Sequence, residues 1–182
     1  MARQALLVMD VQSVVVSRYP DPAYLPRLAA AVGASRAAGI PVIYVVVGFR
    51  PGYQEVSPNN KMFGGLAHAK PPADPEASAV HPAVAPEKDD IIVTKRRVSA
   101  FTGSDLDLVL RAGEIDHLVL TGVATSGVVL STLREAADRD LTLTVLADGC
   151  LDSDPEVHRV LTEKIFPMQA EVRTIADWAG SL

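Results

Sequence analysis

The chain has 182 residues, 48% hydrophobic and 21% charged, with a formal net charge of -5. That length fits one domain, residues 1–182, whose core needs neither disulfides nor metal, and the balance of residue types excludes a disordered chain. No basic stripe with interleaved aromatics points to nucleic acid, no apolar run is long enough to span a bilayer, and a lone cysteine, Cys150, makes neither an internal disulfide nor a thiolate zinc site.

Met1-Ala-Arg-Gln leads directly into an apolar run, residues 5–9, that stops at Asp10. The segment lacks the basic region, apolar region and cleavage site of a secretory signal, so a cytoplasmic location is expected. Residues 25–38 are Ala-rich, with Leu25, Leu28, Ala29 and Val32 on one face and Gly39 behind them, which predicts a helix and its stop. PVIYVVV, residues 41–47, is apolar at nearly every position, as in a strand buried on both faces. Residues 48–73 then hold four prolines and four glycines, predicting a long turn-rich loop with a short helical piece near residues 61–68. DIIVT, residues 90–94, is the third predicted strand. A helix over 104–111 follows, capped by Thr102 or Ser104 and stopped by Gly113.

Residues 116–120 form the fourth predicted strand and 128–138 the next helix. Strand five covers 141–146, a helix capped by Asp154 with Pro155 in its first turn covers 154–166, and strand six covers 170–175 before a short tail. Buried strands alternating with helices predict a doubly wound α/β fold, a six-stranded parallel sheet with helices on both faces.

In such a sheet, ligands bind at the carboxyl ends of the strands. The polar residues at those ends are Asp10, Lys95, the Gly-rich turn of residues 122–127, and Asp148. Taken singly, Asp10 is either an acid–base group in a desolvated crevice or a turn-capping carboxylate, and Lys95 is either its partner or an ordinary lysine. The turn offers helix N-terminal amides to an oxyanion, and Thr125 or Ser126 as a cap.

The combination is more specific. LLVMDVQ, with Asp10 and Gln12, is followed by VHPAVAPEKDDIIVTKRRVSAF, with Lys95 and Phe101. LVLTGVATSGVVLSTLREAADRD and VLADGCLDSDPEVHRVL complete the series. This series resembles the isochorismatase-like hydrolase superfamily, the cysteine hydrolase or nicotinamidase-like group, from Leu6 to about Trp178. The resemblance implies a catalytic Asp, Lys and Cys, with Asp10 and Lys95 matching the first two. It also implies a cis peptide between Val123 and Ala124, with the Ala124 and Val128 amides as an oxyanion hole.

The third position departs from the pattern: the nucleophilic Cys of the amidase members falls at Val128, which has no nucleophilic atom. Isochorismatases proper carry Gly there and cleave a vinyl ether without a covalent intermediate. Cys150 reads as a partly buried structural thiol, and Ser126 as a cap. His117 and His158 read as helix-edge or surface residues. The loop after the second strand reads Val47-Gly-Phe-Arg-Pro51, without the Asp and His that hold a metal in nicotinamidase-like members, so neither metal nor cofactor is expected.

Phe49, Arg50, Phe101, Gln12 and Thr125 are candidate substrate contacts, Arg50 being suited to a carboxylate. The expected activity is hydrolysis of a small molecule, at a vinyl ether or C–N bond, without a cysteine nucleophile. The alternative is a retired scaffold that binds rather than turns over its ligand. A homo-oligomer is the further expectation from the resemblance.

Overall fold

A computed structural model describes residues 3–72 and 74–182. Met1 and Ala2 of the N-terminal segment, and Ala73 at the end of the long loop, lie outside the described residues.

Six parallel strands form one sheet in the order β3-β2-β1-β4-β5-β6. They are β1 (Gln4–Met9), β2 (Val42–Val47), β3 (Ile91–Lys95), β4 (His117–Val123), β5 (Thr142–Leu151) and β6 (Glu171–Arg173). Strand side chains alternate between two apolar layers: Leu7 and Met9 enter one, Leu6 and Val8 the other. The first layer is closed by α5 (Leu106–Ala112) and α6 (Leu130–Ala137) through Leu106, Leu110 and Leu133. The second is closed by α2 (Tyr24–Ala37) and α8 (Ile175–Ala179) through Leu28, Val32 and Trp178. Both sheet faces are therefore buried, the physical reason the strands read as continuous apolar runs.

The chain reverses its direction of sheet growth between β1 and β4, which are neighbours. This is the topological switch point, where the connections leave on opposite faces and open a crevice at the strand ends.

Some short elements were not foreseen: a four-residue helix, α1 (Ser13–Val16), follows Asp10, and α4 (Pro75–Ser78) lies just beyond the long loop. The loop itself carries α3 (Gly64–Ala69), where a helical piece was expected near residues 61–68. Residues of the expected tail form α8, where Thr174 caps through the Asp177 N–H and Trp178 is buried. The helix expected over 154–166 is α7 (Pro155–Val160), prolonged by a π-helical turn over Leu161–Ile165 and a 3-10 turn over Phe166–Met168. Asp154 caps it as expected, accepting from the Glu156 and Val157 amides.

Strand β5 also continues past its expected end. Its register on β4 jumps from Leu120–Val145 to Gly122–Cys150, so residues 146–149 bulge and Cys150 resumes the pairing.

Candidate active site

Asp10 is the first residue beyond β1. Its amide still bonds to the Val45 carbonyl at 2.8 Å, but its φ of 56° turns the chain sharply toward α1. Aspartate tolerates this left-handed conformation better than most side chains do. Lys95, the last residue of β3, reaches across the end of β2. Its Nζ lies 3.0 Å from Asp10 Oδ2 and donates to the Arg97 carbonyl at 2.8 Å.

The two side chains are almost wholly excluded from solvent: Lys95 is 1% exposed and Asp10 8%. Burial raises the Asp10 carboxyl to about 6, against the opposing charge and hydrogen bond of Lys95. Burial likewise lowers Lys95, and Asp10 opposes that shift. Asp10 Oδ1 is buried with no hydrogen-bond partner among the described residues, so one oxygen remains available to a ligand or water.

The second half of the site is the turn after β4. Gly122 has φ of +147°, and a Cβ there would stand 2.4 Å from the Met9 carbonyl oxygen. Only glycine permits this approach of β4 to β1. The Val123–Ala124 peptide is cis. Residues Thr125–Val129 then form a π-helical turn leading into α6, with the Ala124 carbonyl accepting from Gly127 N at 3.1 Å and Val129 N at 3.3 Å.

This turn is held from the side by α7 and the segment before it. Thr125 Oγ1 lies 2.8 Å from His158 Nδ1, and the Ser126 amide donates to Asp152 Oδ2 at 2.7 Å. His158 is thus half-buried rather than a surface residue, and burial lowers its pKa against the charge of Asp152. Its pairing with Thr125 joins residues 33 positions apart, and no local spacing rule signals it.

Asp10, Lys95, Ala124 and Val128 line one cavity of about 470 Å³. Val128 is 2% exposed and forms part of its wall without filling it. Phe49 joins the lining from the end of β2, and Met62, Phe63 and Leu66 from the long loop. Arg18 and Tyr19, just beyond α1, complete it. Phe49 packs edge-on against Phe63, with ring centroids 5.3 Å apart.

Other sequence candidates lie elsewhere. Gln12 is buried and spends its amide on the backbone: Oε1 accepts from Val47 N at 2.9 Å, and Nε2 donates to the Val47 and Ser78 carbonyls at 3.1 and 2.8 Å. Arg50 is exposed outside the cavity and pairs with Glu55 at 3.6 Å. Phe101 belongs to the core beneath α6, with the Arg139 guanidinium 4.4 Å from its ring centroid. Thr125 is fully buried against His158, and Val123 is buried beneath the turn. Asp148, a strand-end candidate, accepts from the Ile175 amide at 2.8 Å and so fastens α8.

Cys150 is buried within β5 opposite Gly122, and burial pushes its thiol up to about 12. It is a neutral core thiol, not a poised nucleophile. Ser126 is exposed and outside the cavity lining. The described residues gather no group of three His, Cys, Asp or Glu side chains that could hold a metal, and those around Asp10 do not fit one. No helix among them is long and apolar enough to cross a membrane.

The chain as a whole is similar to known proteins. Ureidoacrylate amidohydrolase RutB of Methylobacterium radiotolerans is 35% identical over 204 residues, spanning 97% of this chain and 78% of that protein. The isochorismatase family protein YecD of Escherichia coli O157:H7 is 32% identical, spanning 98% of this chain and 95% of that one. A solved isochorismatase family protein from Burkholderia thailandensis superposes with a TM-score of 0.86 at 32% identity, over 99% of this chain and 95% of that chain. The isochorismatase domain model matches residues 4–177, which takes in all six strands and both halves of the cavity, and the chain belongs to the isochorismatase family.

Proposed function

We propose that this protein hydrolyses a C–N bond in a small molecule, with water rather than a protein thiol as the nucleophile. The observation that carries this reading is the buried Asp10–Lys95 pair at the cavity wall, with an Asp10 carboxyl near pH 6 and one oxygen free of protein partners. A group titrating near the working pH serves as both base and acid. Asp10 takes a proton from water as the oxygen attacks the substrate carbonyl, and Lys95 stabilises the carboxylate beforehand. The Ala124 and Val128 amides hold the oxyanion. Asp10 then returns the proton to the departing nitrogen as the C–N bond breaks. The choice of bond rests on the relatives named as ureidoacrylate amidohydrolases.

A second reading is favoured by the valine itself. Without a nucleophile at position 128, a protonated Asp10 has the chemistry to start acid cleavage of a vinyl ether, which forms no acyl intermediate.

The experiment is a screen of amides, ureido compounds and vinyl ethers, repeated with Asp10→Asn and Cys150→Ser, and in ¹⁸O-water under single turnover. The expected result is C–N turnover that falls at least about a hundredfold in Asp10→Asn, persists in Cys150→Ser, and leaves no acyl adduct on the chain. Unchanged turnover in Asp10→Asn, or a covalent adduct, overturns it. Turnover confined to vinyl ethers selects the second reading, and binding without turnover selects a retired scaffold.

A further inference from the structure

The cavity holds three charged side chains, Asp10, Lys95 and Arg18. Asp10 and Lys95 neutralise one another at 3.0 Å. Arg18 makes no ion pair within 4.0 Å among the described residues, so the cavity carries one uncompensated positive charge on a chain whose formal net charge is -5.

Two carboxylates that share the neighbouring groove with Arg18, Asp21 and Asp152, have other hydrogen-bond partners. Asp21 is 2.8 Å from Arg27 and accepts from the Ala23 amide. Asp152 accepts from the Ser126 and Ser153 amides. Arg18 also follows directly on α1, whose short turn places it and Asp10 on the same cavity although eight positions separate them. Tyr19 stands beside it, bringing a phenolic O–H donor.

We infer that Arg18, with Tyr19, forms a carboxylate subsite at the cavity wall, so the substrate is a small monocarboxylate with its hydrolysable group at the other end. The physical ground is charge balance: an exposed arginine on the lining of a largely apolar cavity gains most from a planar anion that its fork of donors matches. The same cavity is lined by Val14, Val15, Phe49, Phe63 and Leu66, which suits a short apolar or aromatic skeleton. The inference rests on the cavity being the hydrolytic site, but the subsite is testable without turnover.

The probes are benzoate and benzamide, of one shape and different charge. Their dissociation constants are measured by calorimetry on the wild type, Arg18→Gln, Arg18→Lys and Asp10→Asn. Arg18 is exposed, so its substitution leaves the core untouched. The expected result is tighter binding of benzoate than benzamide to the wild type. Arg18→Gln should lose about tenfold to a hundredfold in benzoate affinity alone, and Arg18→Lys should recover part of it. Benzoate bound no better than benzamide, or bound equally by Arg18→Gln, overturns the proposal. Preference for benzoate that persists in a protein without detectable turnover sinks the hydrolase reading and leaves the subsite standing.

Discussion

The carboxyl ends of β1 and β4 meet at Gly122 and Met9, where a Cβ on the first would lie 2.4 Å from the carbonyl oxygen of the second. Both Asp10 and the turn holding Val128 begin immediately after this contact. Gly122→Ala forces the strands apart and places alanine at a φ that L side chains rarely adopt. The expected loss is at least about 2 kcal/mol, read by chemical denaturation, with binding at the cavity weakened in whatever fraction remains folded. Wild-type stability in this variant would refute the close approach.

Burial pushes the Asp10 carboxyl up to about 6 in the folded chain, from 3.8 for the solvated group. Between those values the folded state holds a proton that the unfolded state has released, so this group's contribution to stability falls as pH rises through that window. Carboxyl NMR of Asp10 should show the midpoint near 6. Lys95→Met removes the charge and hydrogen bond that hold it down, and the midpoint should move upward. A midpoint near 4 in the wild type would contradict the burial argument.

His158 behaves in the opposite sense. Burial holds its folded pKa below 6.5, so below that value the unfolded chain binds more protons and stability falls as pH falls. Imidazole NMR should place its midpoint below 6.5. His158→Ala leaves the buried Thr125 hydroxyl without its partner, at a cost of about 1–3 kcal/mol. An unchanged denaturation midpoint would show that the pairing braces nothing.

Thiol reactivity separates the two positions that matter for nucleophilic chemistry. Cys150 is buried with its thiol at about 12, so iodoacetamide should leave the folded wild type unlabelled. Val128→Cys puts a thiol on the cavity wall, and mass spectrometry should find one label, at position 128. Labelling of native Cys150 at a comparable rate would reverse the assignment of its role.

The sheet was legible because strands buried on both faces must be apolar throughout, and Asp10 and Lys95 because each polar residue interrupts such a run. Elements whose stability comes from packing were not. α8 is five residues long and exists because Trp178 and Ile175 seal the second layer. The same limit governs the cavity lining. Arg50 follows the end of β2 in the sequence, but its loop pairing with Glu55 leaves it outside the cavity, while the exposed Arg18, just beyond α1, lines it. Phe101 was misplaced for a related reason: the Ala100 amide bonds to Thr132 Oγ1 at 2.9 Å and draws the segment under α6.

Gln12 grips Val47 at the start of the long excursion and Ser78 near its end, so the chain between them is fastened at both roots by a residue two positions from Asp10. Everything this segment lends to the cavity, Met62, Phe63 and Leu66 among it, therefore sits on a detachable cassette. Rewriting the cassette, in length or in sequence, changes what the cavity admits without moving the Asp10–Lys95 pair. Selection or an engineer altering the diet of this protein would begin there, and would keep Gln12.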